Sequence, residues 1–210
     1  MVVDMNKINY RNTTFYTTVG ELHQLPETKF EIAVVGRSNA GKSSLINTLT
    51  RQNKLAFTSK TPGRTQCINF FQVAEDSFLV DLPGYGYAKV PEEIRTRWVK
   101  LLGDYLRYRL NLFGLVLIMD ARHPLKDLDI QMIDYFSQTN KPIHIVLSKI
   151  DKLNNQEKAT VLRNVQQYLK DIGYGNYSVQ SFSSLKNTGV AELESKLNEW
   201  FSKVPHEESN

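Results

Sequence analysis

The chain has 210 residues, 41% hydrophobic and 23% charged, enough apolar material for one globular domain with a buried core and too little length for a second full domain. A formal charge of +4 permits a polyanionic partner without requiring one, and a single cysteine, Cys67, excludes an internal disulfide framework and points to a reducing compartment, the cytoplasm. The first residues include Asp4 and Glu21 and no secretion core, the longest apolar run (112–119) is far below the roughly 20 residues that cross a bilayer, and neither end bears a lipidation motif, so no membrane anchor is expected; a monomer is the expected state, though nothing in the sequence fixes it.

In chain order, residues 1–29 read as an N-terminal extension leading into the domain. An apolar run at 30–35 is the first predicted strand. Directly after it comes Gly36-Arg37-Ser38-Asn39-Ala40-Gly41-Lys42-Ser43, followed by a helical pattern over 42–50. Strand, glycine loop and helix in that order make a phosphate-binding P-loop. Such a loop wraps backbone N–H groups around an oligophosphate, and Gly36 and Gly41 leave that approach clear of a Cβ. Lys42 supplies a point charge to the outer phosphates, and the Ser43 hydroxyl stands where it can ligate magnesium.

The stretch 51–66 has no clear period and contains Thr61-Pro62-Gly63, which predicts a loop. Strands follow at 68–73 and 78–82. The second ends in Asp81-Leu82-Pro83-Gly84, where a carboxylate can hold magnesium through water while the Gly84 N–H approaches the terminal phosphate. A helix is predicted over 91–110, with Pro91 at a position that needs no N–H. A strand at 115–120, a helix at 125–139 and a strand at 143–147 come next. The last of these runs into Ser148-Lys149-Ile150-Asp151. A helix at 156–172 stops before Gly173, a strand spans 178–182, Ser183-Ser184-Leu185-Lys186 forms a loop, and a final helix covers 190–203 before a polar tail from Pro205. The alternation predicts an α/β fold: a mostly parallel central sheet with helices on both faces.

A P-loop serves kinases, ATPases and GTPases alike, and the loop after the 143–147 strand chooses among them. Guanine presents N1–H and its N2 amino group as adjacent donors, which the Asp151 carboxylate can accept together; adenine offers an acceptor there and no amino group. Lys149 can lay its stem along the base plane. Backbone N–H groups of the 183–186 turn can meet the guanine O6. The sequence therefore predicts GTP and GDP as ligands.

Four elements in this order resemble the translation-factor-related G domains, and more closely the EngB (YihA/YsxC) family of bacterial ribosome-assembly GTPases. The resemblance spans about residues 20–204 and rests on extended strings: the P-loop with Ser44, Thr61-Pro62-Gly63-Arg64-Thr65-Gln66, Asp81-Leu82-Pro83-Gly84-Tyr85-Gly86-Tyr87-Ala88, and Asp120-Ala121-Arg122-His123-Pro124-Leu125-Lys126. It implies a P-loop G domain over 30–204. It implies a nucleotide site made of Gly36, Arg37, Ser38, Asn39, Ala40, Gly41, Lys42 and Ser43; of Gly63, Arg64, Thr65, Gln66 and Cys67; of Asp81, Leu82, Pro83 and Gly84; of Ser148, Lys149, Ile150 and Asp151; and of Phe182, Ser183 and Ser184. By the same resemblance, Thr65 joins Ser43 on magnesium in the GTP state, and the loop around it is released after hydrolysis. The first residue of the base loop departs from the usual Asn or Thr: Ser148 keeps a hydroxyl and loses a methyl, which implies slightly looser support of the P-loop.

Many small GTPases place a water-orienting glutamine directly after the DxxG glycine. Tyr85 stands there instead, so slow intrinsic hydrolysis is expected, with Lys42, Thr65, Gly84 and Asn39 as the catalytic set. Related G domains with asparagine at the position of Asn39 bind a potassium ion that bridges the phosphates, and stabilisation of the loop is the alternative role for Asn39. The 91–110 helix carries Arg95, Arg97, Lys100, Arg107 and Arg109 with Trp98, Tyr105 and Tyr108, a combination suited to rRNA, while Ile94, Trp98 and Leu102 have the spacing of an inward face. The resemblance implies a role in assembling the large ribosomal subunit or its precursor and in normal septation. The competing reading is a nucleotide-gated ribosome-binding module whose hydrolysis is incidental.

Overall fold

A computed structural model describes residues 7–56, 67–86 and 92–204, the side chains of 92, 94, 95, 97 and 98 excepted. Its elements are β1 (Thr14–Val19), β2 (Phe30–Gly36), α1 (Lys42–Thr50), β3 (Ile68–Ala74), β4 (Ser77–Asp81), α2 (Glu92–Tyr108), β5 (Leu112–Asp120), α3 (Asp127–Ser137), β6 (Ile143–Ser148), α4 (Asn155–Asp171), β7 (Tyr177–Ser181) and α5 (Val190–Phe201). The strands form one sheet in the order β1-β3-β4-β2-β5-β6-β7. Its pairs from β4 through β2, β5 and β6 to β7 are parallel, and β1-β3 and β3-β4 are antiparallel.

Parallel strands that are covered on both faces read as continuous apolar runs, and the sheet divides them between two cores by alternation. Ala33, Val35, Leu115, Leu117, Ile145 and Leu147 face α2, α3 and α4, whose Leu106, Ile133, Phe136, Val165 and Leu169 complete that side. Ile32, Val34, Val116, Ile118 and Val146 face α1 and α5, against Leu45, Leu49, Leu193, Leu197 and Trp200. The α/β fold with helices on both faces is thus as expected.

Residues 14–19, expected within an N-terminal extension, instead pair with β3 as the edge strand of the sheet. This segment, Thr-Phe-Tyr-Thr-Thr-Val, exposes Phe15 and Tyr16 and buries Val19, so no apolar alternation marked it. The other strand and helix expectations differ from the observed elements mainly at their ends. The 57–66 loop, Pro91 and the tail from Pro205 lie outside the described residues.

At the far end of the sheet from the loops described below, Glu31 is fully buried on β2. It accepts from the Arg109 guanidinium (2.6 and 3.0 Å to Oε1), from the Tyr105 hydroxyl (2.6 Å) and from Thr28 Oγ1 (2.5 Å). Arg109 also donates to the Pro26 carbonyl (2.6 Å). Tyr105 and Arg109 are therefore consumed in holding the C-terminal end of α2 to β2, which removes both from the expected RNA-contacting set of this helix. Arg107 and Tyr108 remain exposed, and the Arg107 guanidinium lies 5.8 Å from the Tyr108 ring centre.

Candidate nucleotide site

The parallel strands all end on one edge. Gly36, Asp81, Asp120, Ser148 and Ser181 terminate β2, β4, β5, β6 and β7, and the register sets Asp120 beside Ser148 and Leu147 beside Ser181. Open α/β sheets bind ligands in the crevice outside such carboxyl ends.

On β2 the chain turns into α1 through residues 37–41. Two backbone positions there have positive φ, Asn39 at 64° and Gly41 at 104°. Gly41 caps α1 in a left-handed conformation that a side chain would strain. Gly36 is required for a different reason than phosphate approach: a Cβ on it would lie 2.7 Å from the Ile118 carbonyl oxygen of β5. The close packing of the two strands selects that glycine.

Lys42, at the start of α1, pairs through Nζ with Asp81 Oδ1 at the end of β4. Both side chains are largely buried, so the cation and carboxylate expected to serve phosphate and magnesium are already neighbours. Ser43 follows Lys42 in the first turn of the same helix. Leu82, Pro83 and Gly84 are buried, and the Leu82 N–H donates to the Val34 carbonyl (3.0 Å). Tyr85 then rejoins the P-loop as a parallel bridge to Arg37: its N–H donates to the Gly36 carbonyl (3.3 Å) and its carbonyl accepts from the Ser38 N–H (2.7 Å). The side chain of Tyr85 turns to α3, where its hydroxyl donates to Asp129 Oδ1 (2.9 Å). Burial, and then the neighbouring Asp129, hold the phenol far above its ordinary pKa, so it stays protonated.

The candidate base loop leaves β6 and is bonded to its surroundings from both sides. Ser148 is buried, and its hydroxyl lies 2.5 Å from the Ala40 carbonyl of the P-loop and 3.1 Å from that of Met119 on β5. One serine hydroxyl thus ties the end of β6 to the P-loop and to β5, so this support is present without the methyl. Lys149 adopts a left-handed conformation (φ 58°), from which Nζ reaches the Asn39 carbonyl (2.7 Å) and Asp120 Oδ2 (3.0 Å). Asp120 is also gripped by the Arg122 guanidinium at 2.9 and 2.6 Å. Partial burial alone would raise the Asp120 pKa, but the hydrogen bonds from Arg122 and Lys149 outweigh it and keep the group ionised far below the usual carboxylate range.

Asp151 Oδ1 accepts the Ser183 hydroxyl at 2.5 Å, and that hydrogen bond is the main reason the carboxyl pKa is lowered. Ser183 differs from expectation in how it takes part. Its N–H donates to the Thr188 carbonyl (3.0 Å), so it is closed to a base, and the side chain steers Asp151 instead. The Lys186 N–H donates to Ser183 Oγ (3.1 Å), which leaves the N–H groups of Ser184 and Leu185 as the turn's donors for a base carbonyl. Phe182 and Ile150 are buried, and they contribute backbone: the Ile150 N–H donates to the Phe182 carbonyl (3.1 Å). Cys67 is half-buried just before β3, and Gly63, Arg64, Thr65 and Gln66 lie outside the described residues.

The family model described as 50S ribosome-binding GTPase matches residues 31–149, from β2 to the second residue of the base loop. Over nearly the whole chain, the probable GTP-binding protein EngB of Neisseria gonorrhoeae (strain NCCP11945) is 58% identical across 193 residues, 91% of this chain and 92% of that protein. This chain belongs to the EngB family. An EngB relative from Laribacter hongkongensis (strain HLHK9) is 57% identical over 194 residues, 91% of this chain and 86% of the other. Among solved structures, a probable GTP-binding protein EngB superposes with a TM-score of 0.66 at 22% identity, covering 82% of this chain and 99% of that one. Era in complex with MgGDPNP and nucleotides 1506–1542 of 16S ribosomal RNA gives the same TM-score and identity, over 88% of this chain and 60% of its own. At such identities the structural likeness establishes the P-loop GTPase fold alone.

The chain is an EngB GTP-binding protein of the GTPase family, and three side chains outside the predicted site set bond to its loops: Asp120 to Lys149, Arg122 to Asp120, and Asp129 to Tyr85. Asp120 and Arg122 stand in the string that marks the resemblance to EngB, and Asp120 closes a strand neighbouring the base loop, so its position could have been read as a site position. Asp129 bore no such mark. Among the described residues no group of three or more His, Cys, Asp or Glu side chains is arranged to hold a metal, and no helix is long and apolar enough to cross a membrane.

Proposed function

We propose that this chain binds GTP and GDP with magnesium, hydrolyses GTP slowly, and uses the two states to time its association with a maturing large ribosomal subunit. The observation that supports this best is the joining of two loops at one sheet edge. Ser148 and Lys149 bond the carbonyls of Ala40 and Asn39, so the base-reading carboxylate of Asp151 and the phosphate loop are held in one rigid unit. Asp151 accepts the donor edge of guanine; Lys42 and the N–H groups of residues 37–43 receive the phosphates; the Gly84 N–H meets the third phosphate. Ser43, Thr65 and, through water, Asp81 would hold the magnesium ion. Their donors are all oxygen, which fits a hard cation. Bound there, the ion neutralises charge on the phosphates.

Slow turnover follows from Tyr85. Its hydroxyl is committed to Asp129, so no side-chain amide stands at this position to orient the attacking water. Thr65 and Asn39 complete the catalytic set, and potassium held near Asn39 is the second cation proposed. A cytoplasmic monomer, with rRNA as part of its binding surface and a role in assembly on which septation depends, completes the reading. The 50S ribosome-binding GTPase family that matches the chain and the rRNA-bound Era neighbour support the ribosomal partner. Co-sedimentation with ribosomal subunits, in GDP and in a non-hydrolysable GTP analogue, tests it. Preferential pelleting with the large subunit in the analogue is the expected result, and pelleting independent of nucleotide would overturn the timing role.

A further inference from the structure

Among the described residues, Asp129 is a buried carboxylate, 1% exposed, in the first turn of α3. Its two oxygens are both in use: Oδ2 accepts the Lys126 N–H (3.1 Å) and Oδ1 accepts the Tyr85 hydroxyl (2.9 Å). The first bond closes the start of α3 and is local. The second crosses from α3 to the loop that leaves β4, joining residues 44 positions apart in the chain.

Tyr85 has few degrees of freedom left. Its N–H and carbonyl are bonded to Gly36 and Ser38 of the P-loop, its ring packs against the α2/α3/α4 core, and its hydroxyl is held by Asp129. The next residue, Gly86, has φ 80° and approaches α3 so closely that a Cβ would lie 3.0 Å from Leu128 Cδ1. Gly84 therefore sits between two anchors: Leu82, bonded to β2, on one side, and Tyr85, bonded to the P-loop and α3, on the other. The N–H of Gly84 can address a third phosphate only if both anchors hold.

We propose that Asp129 is a positioning residue for GTP hydrolysis: by fixing the Tyr85 hydroxyl to α3 it sets the Gly84 N–H at the third phosphate, and it touches no nucleotide itself. The proposal rests on the GTPase reading above. Tyr85 is then not an idle replacement for a glutamine but the arm through which α3 aligns the loop. The carboxylate is specified because both partners are donors. An acceptor-only group receives both protons as the side chains stand; an asparagine could keep both ties only by reversing one, its NH2 donating to the Tyr85 oxygen, so alanine is the substitution that removes the tie.

The test uses the full chain with Tyr85→Phe and Asp129→Ala, singly and together. Measured are single-turnover GTP hydrolysis and equilibrium affinities for GDP and for a non-hydrolysable GTP analogue. A hydrogen bond to a charged group corresponds to about a tenfold to hundredfold effect when the loop must be held without it. Expected is a fall of at least ~tenfold in hydrolysis rate for each single variant, with the double variant no worse than either. The ratio of analogue affinity to GDP affinity should fall similarly, while GDP affinity stays within about twofold, since GDP has no third phosphate for Gly84 to meet. A purely structural role would lower thermal stability and leave the rate and the affinity ratio at wild-type values; that outcome, or an equal loss of both affinities, overturns the proposal. Tyr85→Phe retains the packed ring, so it serves if Asp129→Ala does not fold. Should the unaltered protein hydrolyse no GTP, the GTPase reading fails, while the affinity ratio still decides the positioning role.

Discussion

Replacing Asp151 with asparagine is the most direct probe of base recognition, and the structure states how the new side chain will sit. The Asp151 side chain is 10% exposed, and Ser183 Oγ lies 2.5 Å from Oδ1. That hydroxyl accepts from the Lys186 N–H, so its own proton is directed at position 151. In Asp151→Asn the amide oxygen must take the place of Oδ1 to receive this proton, which puts the NH2 group where Oδ2 was. Guanine then meets a donor with its donors, and xanthine, with a carbonyl at C2, meets a donor with an acceptor. Each hydrogen bond to the carboxylate contributes about 1.5–3 kcal/mol, so losing two costs at least ~3 kcal/mol, about a hundredfold in affinity. Titration of the variant with labelled GDP and XDP should show GDP binding weakened by at least that factor and the preference reversed toward XDP. A variant that binds GDP within about tenfold of wild type and still prefers it to XDP refutes the assignment of Asp151 to the base.

Removal of Arg109 by Arg109→Met leaves Glu31 buried with only neutral donors, and urea unfolding should show a loss of about 3–5 kcal/mol; a loss under about 1 kcal/mol would mean that the pair does not hold α2 to β2. His144 is buried between Ser178 and Gln180, and burial lowers its pKa to about 4 against an ordinary 6.5. The unfolded chain therefore binds the proton first, and the stability this neutral imidazole contributes is present above pH 6.5 and lost as pH falls toward 4, about 3 kcal/mol in all. The stability difference between wild type and His144→Gln, followed by denaturation over that window, should narrow on acidification, and a pH-independent difference would contradict it. Exchange of potassium for sodium at constant ionic strength should slow GTP hydrolysis, and equal rates would remove potassium from the mechanism.

Much of the site was legible because it consists of short strings whose residues act where they stand. Gly41 caps a helix at its own position, Lys42 opens that helix, and Asp151 follows a strand whose apolar run announces it. The reason for Gly36 was not legible, since the atom that forbids a side chain there belongs to Ile118 on another strand. A serine-rich turn suggests backbone donors there; the side chain of Ser183 instead meets Asp151, 32 residues away. From sequence, Tyr105 and Arg109 are candidate RNA-contacting groups on an amphipathic helix; in the fold, Glu31, a charged residue inside an apolar strand, requires both.

Order and period along the chain were sufficient for the α/β class, for the succession of loops on one sheet edge, and for the proposal that Asp151 reads guanine, because each of these depends on near neighbours in sequence. Which buried carboxylate meets which hydroxyl depends on strand order and helix docking instead. The bonds of Asp120 to Lys149, Asp129 to Tyr85 and Glu31 to Arg109 join residues far apart in the chain, brought together by packing on the two faces of the sheet. Periodicity says which way a side chain faces, and only the folded arrangement says what it faces.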